Sequence, residues 1–317
     1  MKSTRDLTVP DLLIVFGGPT ASGKSETAAR LAALAGGTVI SADSVQVYEG
    51  MDIGSSKPGP ELLAMAPHSL LGVLKPDRRI NAFAYAKLAR EEILRVSSSG
   101  SLPVLTGGTG LYIKAVVDGI FESPLIPAEI RKELESELGS RGNAALHSEL
   151  AGIDPEAAAK IHNNDASRII RALEVFRGTG KTITALRNGT DPAVKARKTL
   201  FYAMSIPRDE LYGRVEARVD AMISAGLLRE TESLINQYGA ENIDALKSLG
   251  YKQMRDVLEG KSDIASAAAE IKTLTRNYAK RQFTWFKNDG RYLWVDNRDP
   301  ELAALAIMKD IRAKGGN

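Results

Sequence analysis

Along the chain, apolar residues first form a short unbroken run, LLIVF at 12–16. It stops at Gly17 and Gly18 and is followed from Ser25 to Leu34 by alanine and leucine at helical spacing. A brief apolar run bounded by glycine predicts a buried strand, so the chain opens as strand, loop, helix. TVIS at 38–41, a helical segment near 82–96 and the compact LPVLT at 102–106 continue the alternation, interrupted by an irregular stretch from Gly50 to Pro60. Such alternation predicts a parallel sheet with helices on both faces. From Pro124 to about Gly180 the strands stop, and Glu129–Leu138, Ala144–Leu150, Pro155–Ile161 and Ser167–Phe176 all read as helices. TLFYAMSI at 199–206 returns to the sheet, helical patterns follow over Asp209–Ala225, Glu230–Gln237 and Asp263–Lys287, and RYLWV at 291–295 is a last strand before a final helix. The expected organisation is an α/β core from 1–122 and 199–317, interrupted by an all-helical insertion domain at 123–198.

Composition narrows the function classes. The 317 residues are 44% hydrophobic and 26% charged, and no apolar run approaches the roughly 20 residues that span a bilayer. The opening apolar run leads into a glycine-rich loop and not a cleavage site, so a soluble, cytoplasmic protein with no membrane partner is expected. With no cysteine, disulfides, thiolate catalysis and Cys-liganded zinc are excluded; His68, His147 and His162 lie far apart, which favours packing roles over a metal centre. A net charge of +3 is too mild to name nucleic acid as a partner by itself.

The run Gly18-Pro19-Thr20-Ala21-Ser22-Gly23-Lys24-Ser25 fits GxxxxGK[ST], with the preceding strand and following helix that this phosphate loop needs. Glycines let backbone N–H groups turn onto an anion, the helix N-terminus adds its positive end, Lys24 adds a mobile charge and Ser25 is suited to Mg2+. The loop does not distinguish ATP from another diphosphate. A P-loop NTPase-like core follows. Asp43, Ser44, Val45 and Gln46 come after the second strand, at the carboxyl edge where open α/β sheets bind ligands. Asp43 is read either as a ligand-facing carboxylate or as a turn cap. The glycine-rich Thr106–Gly110 supplies another loop at the same edge.

The phosphate loop, DSVQVY at 43–48, DIGSSKP at 52–58, GGTGLY at 107–112, NDASRIIRALEVFRGTGK at 164–181, GYKQM at 250–254 and TRNYAKRQFTWF at 275–286 together resemble the tRNA dimethylallyltransferases over nearly the whole chain. The resemblance implies transfer of a dimethylallyl group from dimethylallyl diphosphate to N6 of the adenine 3′ of the anticodon (position 37), with the helical insertion gripping the anticodon stem-loop of tRNA. Residue by residue, it implies that Gly18 to Ser25 hold the diphosphate with Mg2+ on Ser25, and that Asp43 is the general base. It further implies that Asp43 to Gln46, Thr109, Arg131, and Ser167, Arg168, Ile169, Ile170 and Arg171 meet the tRNA. Arg214 and Arg218 fall where the family keeps basic residues near the active site. Arg218 is grouped with Asp43, Lys24 and Thr109 as catalytic, while the sequence leaves open which arginine reaches the diphosphate. The chain departs from the family pattern in ending its phosphate loop with Ser, in DSVQ for DSMQ, and in PHSLLGV at 67–73 for a PHHLID-like run. Without cysteine for the C-terminal zinc finger of eukaryotic members, it is similar to the bacterial type.

The chemistry suits these residue types. Adenine N6 is a poor nucleophile and needs a proton acceptor, while departure of an allylic diphosphate is eased by cations. The target base must leave its stack, at a cost of a few kcal/mol that is lower in a single-stranded loop. Lys272, Arg276 and Lys280 recur every four residues on one predicted helix, with Arg281 beside them and Tyr278, Phe283, Trp285 and Phe286 interleaved. This is read either as a phosphate-binding face with stacking aromatics or as a solvated basic face over core aromatics. Arg168, Arg171, Arg177 and Lys181 form a second candidate patch. The competing functions are a small-molecule P-loop kinase, a free-nucleotide (adenylate) prenyltransferase and a non-enzymatic RNA-binding protein. A monomer is expected.

Overall fold

The computed structural model describes residues 12–122, 124–188 and 198–315. Residues 1–11, 189–197 and 316–317, which the expected domain ranges include, lie outside the described residues, as does Ser123. The chain divides into two compact units, Met1–Val117 with Val194–Asn317, and Asp118–Ala193.

The first unit carries β1 (Leu12–Gly17), α1 (Lys24–Ala35), β2 (Gly37–Ser41), α2 (Pro60–Met65), β3 (His68–Ser69), α3 (Ala82–Ser98), β4 (Leu102–Thr106) and α4 (Gly110–Asp118). The second carries α5 (Ala128–Ile153), α6 (Pro155–Lys160), α7 (Ala166–Thr179) and α8 (Ile183–Asn188). The first resumes with β5 (Lys198–Ser205), α9 (Arg208–Ala225), α10 (Leu227–Tyr238), α11 (Tyr251–Leu258), α12 (Ile264–Lys287), β6 (Tyr292–Asp296) and α13 (Pro300–Gly315).

The six strands form one parallel sheet in the order β3-β2-β4-β1-β5-β6. Parallel pairing buries both faces, so the strands read as unbroken apolar runs: all six residues of β1 are buried. Leu12, Ile14 and Phe16 point to one face, where Ala28, Leu31 and Ala32 of α1 meet Ala304, Ile307 and Met308 of α13. On the other face a side chain at Gly17 would stand 2.5 Å from the Phe286 ring of α12, so the absent Cβ lets that helix lie against β1. The parallel order places the loops after β1, β2, β4, β5 and β6 together at the carboxyl edge of the sheet.

A separate apolar cluster joins Val47, Tyr48 and Met51 to Leu227, Leu234, Tyr251, Met254 and Ile271, binding the segment after β2 to α10, α11 and α12. In the helical unit, Gly142 takes φ 76° and ψ 168° and breaks α5 between the two helices read from the sequence. Leu134, Leu146, Leu150, Ile169, Ile170 and Leu173 form this unit's core. Asp154 is buried and joins three pieces of it: its carboxylate accepts from Ala157 N–H at 3.0 Å, Thr184 N–H at 3.0 Å and the Thr184 hydroxyl at 2.7 Å.

Candidate active site

The segment from Gly18 to Lys24 wraps from β1 into α1 through left-handed residues. Gly23 at φ 78° permits the turn, and Ala21 takes φ 62° while buried against Leu211 and Val215 of α9 and Ala279 of α12. A non-glycine residue in that region carries strain that its surroundings must offset. Two buried amides from far along the chain hold the loop. Gln282 of α12, 5% exposed, accepts from Thr20 N–H at 2.7 Å and donates to Gly108 C=O at 2.9 Å, joining the first loop to the one after β4. Asn297, fully buried after β6, donates to Ser22 C=O at 2.7 Å and accepts from the Thr27 hydroxyl at 2.6 Å. Neither was legible as a site residue: a glutamine within an amphipathic helix and an asparagine after a strand carry no local signature.

Lys24 Nζ donates to Pro19 C=O at 3.2 Å, and Arg218 Nη1 donates to Thr20 Oγ1 at 3.2 Å. Burial, and then the nearby Arg218 guanidinium, pull Lys24 down to about 8, against the opposing pull of Asp43. Arg218 is likewise lowered by burial, with Asp43 opposing. Two half-buried cations beside one carboxylate make an electropositive pocket at a helix N-terminus, an arrangement that favours an anion. Arg214 instead pairs with Glu210 at 2.7 Å and donates to Arg298 C=O at 3.3 Å, so of the two arginines Arg218 is the one turned onto the loop side chain.

Asp43 caps the turn after β2. Its Oδ1 accepts from Val45 N–H at 2.9 Å and Gln46 N–H at 3.2 Å. The carboxylate also lines two adjoining cavities. One, of about 340 Å³, is bounded by Lys24, Ser25, Thr106, Gly107 and Gly108; the other, of about 490 Å³, by Val219, Met222, Leu249, Ile271 and Leu274. Thr20, Asp43, Ser55, Ser56, Arg218 and Tyr278 line both. Thr109 Oγ1 accepts from Ser44 N–H at 3.2 Å, which ties the loop after β4 to the Asp43 turn. The Tyr278 phenol is raised by burial and then by Asp43, and the Arg281 guanidinium lies 5.6 Å from the centre of its ring. The Ser25 hydroxyl makes no hydrogen bond among the described residues, and Thr106 Oγ1, lining the same cavity, is buried without a partner. Such free hydroxyls suit a hydrated Mg2+ ion that takes its other ligands from diphosphate and water.

Other expected contact residues are deployed differently. The Gln46 amide is spent internally, accepting from the Ser41 hydroxyl at 2.9 Å and donating to Ser55 and Ser56 C=O at 3.2 and 3.1 Å. Ile169 and Ile170, expected among the RNA-facing positions, turn into the helical core with 0% and 4% exposure, so their side chains offer a ligand no surface. Their helix neighbours Ser167 and Arg168 are exposed, with Arg168 paired to Asp165 at 3.3 Å. Arg177 is not a free cation: it bridges Glu137 at 2.6 Å and Glu149 at 2.7 Å, and these contacts hold Glu137 at about 2. Arg131 pairs with Glu135 at 3.0 Å, and Arg171 with Glu174 at 2.8 Å. On α12, Lys272 pairs with Asp220 at 2.7 Å and Arg276 with Glu216 at 2.5 Å, which neutralises half of the predicted basic face. Lys280 and Arg281 remain exposed. Of the interleaved aromatics, Phe286 is buried against Gly17, Trp285 seats at Gly110, Phe283 tilts onto Trp294, and Tyr278 alone reaches the cavities.

Comparison with known proteins agrees with this geometry. A family model described as IPP transferase matches residues 46–289. The tRNA dimethylallyltransferase of Geobacter sulfurreducens is 44% identical over 90% of this chain and 91% of its own length. That of Desulforudis audaxviator is 42% identical over 96% and 99%. Among solved structures, the tRNA isopentenylpyrophosphate transferase of Bacillus halodurans superposes with a TM-score of 0.70 at 36% identity, covering 97% of both chains. A eukaryotic dimethylallyltransferase acting on tRNA gives 0.75 at 25% identity, over 96% of this chain and 80% of the other. Among the described residues no helix is long and apolar enough to cross a membrane. The sequence, the parallel sheet and the relatives converge: this chain belongs to the IPP transferase family, the family of the tRNA dimethylallyltransferases.

Proposed function

We propose that this protein transfers a dimethylallyl group from dimethylallyl diphosphate to N6 of the adenine 3′ of the anticodon in tRNA. In this reading the diphosphate occupies the smaller cavity, against Gly18 to Ser25, and the adenine enters the larger one. The observation that carries it is the position of Asp43 and Arg218, which line both cavities and so stand where the two substrates would meet. N6 attacks the allylic carbon, a C–N bond forms as the C–O bond to diphosphate breaks, and the N6 proton passes to the Asp43 carboxylate. A carboxylate is a weak base, so proton transfer comes late and most of the rate must come from easing diphosphate departure.

Lys24, Arg218 and the backbone N–H groups of the loop offset the negative charge that develops on the leaving group. Mg2+, held by the Ser25 hydroxyl, would add a further cation there. Thr109 keeps the Asp43 turn in place through Ser44. A P-loop kinase would use the first cavity equally well and would seat its acceptor in the second; the similarity to tRNA dimethylallyltransferases is what favours a prenyl donor. The RNA itself is assigned to exposed cations: Lys280 and Arg281 on α12, and Arg168 with Ser167 on α7. The test is to incubate the protein with unmodified tRNA, dimethylallyl diphosphate and Mg2+ and weigh the nucleosides. A gain of one isopentenyl unit on adenosine is expected, and its absence refutes the reading.

A further inference from the structure

Glu230, on α10, is outside the catalytic constellation yet makes an unusually complete set of hydrogen bonds. Its Oε2 accepts from Asp52 N–H at 3.1 Å and Ile53 N–H at 2.8 Å, and its Oε1 from Gly54 N–H at 3.1 Å and the Tyr251 hydroxyl at 2.6 Å. Three successive N–H groups converging on one carboxylate form an anion nest, here filled by a side chain of the same protein. Charge-assisted bonds of this kind are stronger than neutral ones. Burial, and then the Glu230 charge, raise the Tyr251 hydroxyl. The approach is close enough that a Cβ on Gly54 would stand 2.5 Å from the Tyr251 ring.

The two segments joined at this point both line the larger cavity, Gly54, Ser55 and Ser56 from the first, and Lys247 to Gly250 with Lys252 and Gln253 from the second, with Tyr251 between them packed against Gly54. The first segment is held in a particular shape, since Ser56 sits at φ 51° and the Gln46 amide grips its carbonyl. The phosphate loop has its own supports in Gln282 and Asn297 and touches none of these bonds.

We infer that Glu230 is a positioning residue that fixes the shape of the adenine chamber, by joining two of the segments that line it through Tyr251 and the backbone of residues 52–54. This rests on the assignment of the larger cavity to the base. Misplacing a bound reactant by about 1 Å can cost on the order of 10²-fold in rate. Loss of Glu230 should therefore lower turnover while leaving the diphosphate site intact.

The experiment compares wild type, Glu230→Ala and Glu230→Gln for kcat, for KM toward each substrate, and for thermal stabilisation by inorganic diphosphate with Mg2+. Glu230→Ala is expected to lower kcat with saturating tRNA at least 10-fold, with diphosphate affinity changed less than 3-fold. Gln keeps the volume and one acceptor oxygen but turns an NH2 toward donors, so Glu230→Gln should fall between the two. Parallel loss of diphosphate affinity and kcat overturns the inference, because it marks general disruption. So does a wild-type kcat in Glu230→Gln, which settles the matter even if the alanine variant fails to fold. An inactive wild type would refute the function and not this coupling, so the two failures are distinguishable.

Discussion

Replacing Gln282 by Ala removes one side chain that joins the loop after β1 to the loop after β4. It strands the Thr20 N–H and the Gly108 C=O, both of which the amide satisfies at 2.7 and 2.9 Å. A buried polar group left without a partner costs about 1–3 kcal/mol, so two cost about 2–6 kcal/mol if the site stays dry. Both loops border the smaller cavity, and water entering from it can bridge the stranded groups at little cost. The lower end, about 2 kcal/mol, is therefore expected, which lowers Tm by several degrees in a protein of this size. The kinetic effect should be larger in proportion. Thr20 is also the residue that Arg218 engages, so release of its backbone loosens the guanidinium and should reduce kcat/KM for dimethylallyl diphosphate about 10- to 100-fold. Gln282→Glu sharpens the test. It keeps an acceptor for Thr20 but sets a carboxylate oxygen against the Gly108 carbonyl and a negative charge beside the diphosphate, so it should impair donor KM more than Ala does. Thermal melts and steady-state kinetics decide: an Ala variant within 1 °C and 2-fold of wild type (about the scatter of such assays) would refute the clamp.

Three further outcomes follow from the site. Lys24, held at about 8, carries its charge below that pH and loses it above, so kcat/KM for dimethylallyl diphosphate should decline as pH rises through 8. Lys24→Arg, protonated throughout, should abolish that limb, and an identical limb in both proteins refutes the assignment. The unfolded chain keeps this proton to 10.5, so the same group makes stability rise with pH between 8 and 10.5. Asp43→Asn should slow turnover at least 10²-fold while tRNA affinity stays within about 3-fold, measured by filter binding; unchanged turnover removes Asp43 from the reaction. Lys280→Ala should make the salt dependence of tRNA binding shallower by about one charge, whereas Lys272→Ala, already paired with Asp220, should leave it nearly unaltered. Equal slopes in the two variants would show that exposure does not select the RNA contacts.

Much of the framework can be read in the amino-acid order because parallel strands are buried on both faces and stand out as unbroken apolar runs. LPVLT coincides with β4, and the runs at 12–16 and 199–206 lie within a residue of the ends of β1 and β5. β3 has only two residues, too few for any periodicity, and is held by pairing of His68 and Ser69 with β2. The phosphate loop is legible because its backbone shape demands particular residues at fixed spacing. Gln282, Asn297 and Glu230 are not, because their contacts exist only in the tertiary fold, with partners such as Thr20, Ser22 and residues 52–54 at sequence separations of 262, 275 and 176 to 178 residues. The ion pairing within the basic patches is hidden from the sequence for a related reason. Arg177, Lys272 and Arg276 look like free cations until the fold brings Glu137, Asp220 and Glu216 against them.

The two amide clamps on the phosphate loop have a consequence for biosynthesis. The residues that hold the loop, Gln282 and Asn297, are synthesised 262 and 275 residues after the loop positions they bind. The central strand β1 likewise waits for β5 as one of its two neighbours. Until those residues emerge, the nascent chain carries the loop without its two amide supports and β1 with an open edge, an arrangement prone to wrong pairing.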